Sequence, residues 1–407
     1  MAYERDTDAT DAGQFGRHSL SRPPSVTNLE DVFDDPAHGE IGRDRLGVHF
    51  AWEGVLALGA IALGYLLFAN HRDAISGGAL KTLLVFGAVL GLLALAASIS
   101  LRVGAPNLAL GSVAVASALY YAQKSGGGLI PTATWPVVLA LALGVGMAVL
   151  VVGFQVPGWA GSLVATLVAI AWIQNRFQSP LSVAGEFDPT KHAYYLIGGF
   201  VLLSLVGGLL GLIKPIRRGV GRFRPVGDPA SRRGGVAASV TSLGLILSTV
   251  LAAIAGIVMA AAAGAANEQI TPSAGLEFTG LALGIALLGG ASAYGRRGGV
   301  FGTVLATTVI TLLITYGEQA NWKISIWVLA AGAVGTGLVV TRLVETFGRP
   351  LSLDDGPDDW SDVGVGGTSS WSAAPPVTDA WSGLSAPTSP AAGTTTSQWG
   401  AETDRWR

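Results

Sequence analysis

The chain contains no cysteine, which excludes disulfides, thiolate metal sites and thiol nucleophiles. It is also poor in charge. Only 13% of its 407 residues are Asp, Glu, Lys or Arg, against about 25% in a soluble domain, so most of it does not face water. The five histidines (His18, His38, His49, His71 and His192) are scattered, without metal-ligand spacing. No G-x-x-x-x-G-K-[ST] stretch is present to cradle a nucleotide phosphate. No Ser-His-Asp set or paired-carboxylate arrangement sits together in a plausible pocket, so an enzyme is not expected. Carboxylates in mid-membrane are the usual mark of ion-driven transport, and they too are nearly lacking. Glu53 and Glu277 fall near the ends of apolar runs and read as interfacial anchors, while Lys81 and Arg102 stand where they can snorkel to an interface.

What is present is oil. Half of the residues are hydrophobic and mean hydropathy is +0.51. Ten apolar runs stand out, near 48–69, 79–100, 105–122, 135–154, 158–174, 193–213, 236–264, 277–294, 300–316 and 324–345. A bilayer core needs roughly 20 apolar residues per helix, and these runs are too uniform for barrel strands, which alternate. The expected fold is all-α: a polytopic membrane bundle of about ten transmembrane helices over 46–348. Glycines and threonine at Gly207/Gly211, Gly280/Gly284 and Gly332/Thr336 have the spacing that lets helices approach closely. The flanks, 1–45 and 349–407, are polar and acid-rich or rich in Ser, Thr, Pro and Gly, and are expected to be disordered cytoplasmic tails. The first run begins near Val48, too late for a cleaved signal peptide. The last tail carries Trp360, Trp371, Trp381, Trp399 and Trp406 in similar settings, which suits docking to a partner.

Lys and Arg set the orientation. The loop after the sixth run holds Lys214, Arg217, Arg218, Arg222, Arg224, Arg232 and Arg233. The next loop holds none, and the one after it holds Arg296 and Arg297. This alternation places both termini inside a cell membrane.

Two segments break the oil. In RVGAPNLALGSVAVASALYYA, 102–122, Pro106 removes a backbone donor and disfavours helix at Ala105. Gly104, Asn107, Gly111 and Ser112 lie within two turns of it. Broken helices at membrane depth are tolerated where they line a cavity, so Asn107 and Ser112 are candidates to hydrogen-bond a polar, uncharged solute. The second segment is GGASAYGRRGGVFGT, 289–303. It reads as a tight cytoplasmic turn made by Gly289, Gly290, Gly298 and Gly299 and held at the inner face by Arg296 and Arg297.

GxxNLALGSV at 104–113 resembles the GGIDLSVGS-type segment of permease subunits of ABC importers of the ribose/xylose/galactose class, whose superfamily includes branched-chain amino acid permeases. GGASAYGRRGGVFGT resembles their GGTS-x-x-GGRG-x-x-x-GT segment. GRFRPVGDPASRRGGV at 221–236 is more weakly similar to the cytoplasmic stretch that docks on the ATPase. Asn107 stands where that family has aspartate. The resemblance implies a transport subunit without its own ATPase motif, binding no cofactor, with ATP held on a partner ATPase subunit. It implies a pathway near Gly104, Asn107, Gly111 and Ser112, and ATPase coupling through Arg222, Asp228, Arg232 and Arg233. The implied partners are the ATPase, an extracytoplasmic solute-binding protein, a second permease copy or homologue, and the lipid bilayer; no nucleic acid is expected. The alternative is a transport-inactive, permease-like scaffold that recruits partners through its tails.

Overall fold

The computed structural model describes residues 46–184, 187–212, 235–293 and 301–348. Both tails lie outside the described residues, as do Arg222, Asp228, Arg232 and Arg233 of the basic loop and Arg296, Arg297, Gly298 and Gly299 of the glycine-arginine turn. The described part is an all-α bundle. Its helices are α1 (Leu46–Asn70), α2 (Gly77–Arg102), α3 (Leu110–Lys124), α4 (Leu129–Ala148, extended by a π turn over Val149–Gly153), α5 (Gly158–Arg176), α6 (Ala193–Leu212), α7 (Gly235–Ala265), α8 (Leu276–Leu288), α9 (Gly302–Gln319) and α10 (Ile326–Gly348). Each apolar run of the sequence is occupied by one of them. Two-residue strands β1 (Leu181–Ser182) and β2 (Gln269–Ile270) pair antiparallel, with Leu181 opposite Ile270.

Six helices, α1, α2, α4, α6, α7 and α10, are long and apolar enough to cross a membrane. The bundle is built around two of them. Buried residues make up 78% of the apolar window of α2 and 67% of that of α7, but 17% of that of α1. The exposed faces of the outer helices are as apolar as the core. Leu58, Ile61 and Tyr65 on α1, Val138, Leu141 and Val145 on α4, and Leu202, Val206 and Leu209 on α6 all point outward at helical spacing. A water-soluble protein rarely exposes such continuous patches; a hydrocarbon solvent asks for them. Exposed Trp135, Trp159, Trp322 and Trp327 stand near helix ends, where an amphipathic ring suits a membrane interface. The chain is a multi-pass helical membrane protein.

The remaining helices are shorter or less apolar, and they carry the irregular backbone. α8 has 13 residues, roughly 20 Å of helix against a core of about 30 Å. It packs closely on α10: a Cβ on Gly284 would lie 2.6 Å from that of Ala333, and one on Gly280 would lie 3.2 Å from that of Ala330. Of the three small-residue pairs, Gly280/Gly284 is thus a helix contact, whereas nothing lies within 4 Å of a Cβ on Gly207 or Gly332.

Candidate functional site: two helix breaks and a capped corner

The first break begins where α2 ends. Gly104 takes φ +71, its N–H donates to the Leu101 carbonyl at 2.9 Å, and the Ala105 N–H reaches the Ser100 carbonyl at 3.1 Å. This is a Schellman ending, for which glycine is the favoured residue. Pro106 then keeps the chain from resuming a helix. Asn107 is fully buried and holds the extended stretch in place. Its backbone N–H donates to Ser100 Oγ at 3.2 Å, and its Oδ1 accepts from the Ala109 N–H at 2.9 Å. Its Nδ2 donates to Ser248 Oγ at 2.8 Å and Thr249 Oγ1 at 3.3 Å. Both hydroxyls give their own protons to the Leu245 carbonyl, at 2.9 and 2.7 Å, which leaves their lone pairs for the amide. In this structure the Asn107 side chain is therefore spent on protein partners, as an anchor of the break to α7. Ser162 on α5 donates to the Pro106 carbonyl at 2.8 Å from the other side.

The second break precedes α8, and the two breaks meet. Gly111, one residue into α3, and Gly275, just before α8, touch backbone to backbone. A hydroxyl from each helix bonds the backbone at the start of the other. The Gly111 N–H donates to Thr279 Oγ1 at 2.9 Å, and that hydroxyl donates on to the Leu108 carbonyl at 3.1 Å. Ser112 Oγ donates to the Ala274 carbonyl at 2.5 Å. First-turn N–H groups have no partner in their own helix, and Thr279 of α8 supplies one for the start of α3.

The direction of the helices follows from α7, which serves as a ruler. Val103 lies against Gly244, Asn107 against Ser248 and Thr249, and Ala114 against Gly256. Residues 103–114 thus climb parallel to α7. α8 runs the other way from the shared point, because its end, Leu288, meets Trp52 of α1, while Arg102, below the break, is an electrostatic partner of Glu53. α3 and α8 are two short helices that start together inside the bundle and leave in opposite directions.

The third feature is the corner between α8 and α9. α8 ends in a Schellman turn like that of α2, with Gly290 at φ +82 and the Ala291 N–H on the Ala286 carbonyl at 3.0 Å. Gly289 and Gly302 touch through their backbones, so the ends of the glycine-arginine segment are closed at their base. Consecutive residues of α1 hold the two sides. Trp52 Nε1 donates to the Leu288 carbonyl at 2.7 Å, and Glu53 Oε1 accepts from the N–H groups of Phe301 at 2.8 Å and Gly302 at 3.0 Å. Glu53 is buried, so it caps α9 from within the bundle, a role beyond that of the interfacial anchor expected from the sequence. Local pattern reading has no means of pairing residues 248 and 249 positions apart; the legible hint was a lone carboxylate in an apolar run.

Among the described residues, no group of three or more His, Asp or Glu side chains could hold a metal ion. No family model, curated protein or solved structure matches this chain.

Proposed function

We propose that the chain is the permease subunit of an ATP-driven importer of a small, polar, uncharged solute such as a sugar. It works as a dimer of itself or with a second permease, powered by a separate ATPase subunit and supplied by an extracytoplasmic binding protein. All ten helices belong to the membrane domain of a cell membrane protein with both termini inside. The observation that carries this reading is the meeting of α3 and α8. Non-helical backbone is placed inside the bundle, and what borders it is neutral: the hydroxyls of Ser112 and Thr279 and the backbone groups that they bond. Such groups suit a solute with hydroxyls of its own. The solute passes where these two helix starts part, and Asn107 holds the break against α7 behind it. The orientation has support too. The start of α1, the end of α2 and the α8–α9 corner gather at one end of the bundle, as they do if the N-terminus and the glycine-arginine turn share the inner face.

The test is recovery of the ATPase. Reversing Arg222, Arg232 and Arg233 to Glu should abolish copurification of an ATPase from detergent extracts while the protein still inserts; unchanged recovery contradicts the assignment of the basic loop. One observation favours the alternative of a transport-inactive scaffold: Asn107, Ser112 and Thr279 already have protein partners. Solute uptake by the reconstituted complex separates the two.

A further inference from the structure

Burying a carboxylate at the end of a membrane bundle is unfavourable unless its charge is answered. Glu53 is answered three times. It takes the two N–H groups that open α9, lies at the positive end of that helix's dipole, and interacts electrostatically with Arg102 at the end of α2. Its neighbour Trp52 takes the last carbonyl of α8. Two adjacent residues of α1 thereby bond the end of α8 and the start of α9, and each bond satisfies backbone groups that their own helix cannot.

The contacts have different strengths and different geometry. Trp52 makes one neutral hydrogen bond with a rigid ring. Glu53 makes charge-assisted bonds, which are shorter and stronger than neutral ones, and both fall on a single oxygen. The Gly289–Gly302 backbone contact removes the slack that side chains between the two helices would allow.

We infer that Trp52 and Glu53 form a joint that makes α1 and the α8–α9 corner move as one body, and that Glu53 is the positioning residue through which motion at that corner reaches α1. The joint itself stands on geometry alone. Its use in transport rests on the permease reading, where motion of the corner on the cytoplasmic side accompanies the ATPase cycle.

The absence of cysteine makes a clean test available, since introduced thiols are the only ones present. Gly59 of α1 and Val309 of α9 lie one to two turns or more beyond the joint, and a Cβ on Gly59 would be 3.8 Å from Val309 Cγ2. The full-length chain carrying Gly59→Cys and Val309→Cys should cross-link quickly in membranes on mild oxidation. Adding Glu53→Ala should slow cross-linking several-fold. Glu53→Gln keeps an oxygen for both N–H groups but loses the charge facing Arg102, and should give an intermediate rate. Trp52→Phe should slow it as well. Parental rates in Glu53→Ala overturn the joint. If that variant does not accumulate, parental rates in both Glu53→Gln and Trp52→Phe overturn it.

The coupling role is read separately, on the complex with its ATPase. Glu53→Gln should lower the ratio of solute-stimulated to basal ATP hydrolysis. A parental ratio overturns the positioning role. If the parent shows no ATPase association at all, the permease reading fails, and the cross-linking alone decides the joint.

Discussion

Gly111 and Gly275 are in backbone contact: a Cβ added to Gly275 would lie 2.5 Å from the Gly111 carbonyl oxygen, and one added to Gly111 would overlap the Gly275 carbonyl. The two short helices can start at a common point only because neither residue has a side chain. Gly111→Ala should therefore be severely destabilising. Overpacking a rigid contact costs about 1–3 kcal/mol or more, and here both partners are backbone. Gly54→Ala is the control, because nothing lies within 4 Å of its Cβ; replacing glycine by alanine inside a helix should leave stability unchanged or raise it by up to about 1 kcal/mol. Thermal unfolding in detergent distinguishes them. A Gly111→Ala protein as stable as Gly54→Ala would mean that the α3–α8 contact is loose.

Asn107 tests what the first break is made of. Asn107→Leu strands the Ala109 N–H and removes both bonds to α7, at a cost of about 1–3 kcal/mol for each buried group left unpaired. Unfolding should occur at a lower temperature, and uptake should fall with it. A side chain used only to contact solute would behave differently: uptake would fall and the unfolding midpoint would stay in place.

Asp188 offers a pH-dependent test outside the spanning segments. It opens the short 3-10 turn Pro189–His192 at the foot of α6, where its Oδ1 accepts from the Thr190 hydroxyl at 2.7 Å and the Thr190 N–H at 2.9 Å. The Thr190 hydroxyl foremost, helped by the Thr190 N–H and the charges of Lys191 and His192, holds this carboxyl below the usual carboxylate range, against desolvation, which opposes it. A carboxyl lowered on folding stabilises the fold above its unfolded pKa, and that stabilisation disappears as pH falls through the folded value. Asp188→Ala should be less stable than the parent at about pH 7, and the difference should shrink as pH falls below the ordinary aspartate value. The effect should be small, because solvent screens the site. A difference that widens in acid contradicts the assignment.

Composition and run length made the helices legible, since in lipid the backbone can satisfy itself in few other ways. Their ends were legible only where a residue dictates them. The run over 277–294 looks continuous, yet α8 stops at Leu288 because Gly290 turns the chain in the left-handed region. The run expected at 135–154 begins earlier, since α4 starts at Leu129; Pro131 falls in its first turn, where a proline removes an N–H that has no partner anyway. Pro106 and Gly104 marked the first break correctly. The partners of that break were not readable. Ser248, Thr249 and Thr279 are ordinary hydroxyls in apolar helices, and nothing near them in the chain points to Asn107 or Gly111. The same holds for Trp52 and Glu53, whose partners lie more than 230 residues away.

The most direct measurement is ATP hydrolysis by the full-length chain reconstituted in liposomes with the ATPase that copurifies with it, assayed with and without neutral sugars supplied on their binding protein. A permease predicts that an ATPase is recovered, that one such solute raises hydrolysis above the basal rate, and that the same solute moves from the binding-protein side and accumulates on the side where ATP is hydrolysed. Failure to recover any ATPase, or hydrolysis that no solute alters, would contradict it.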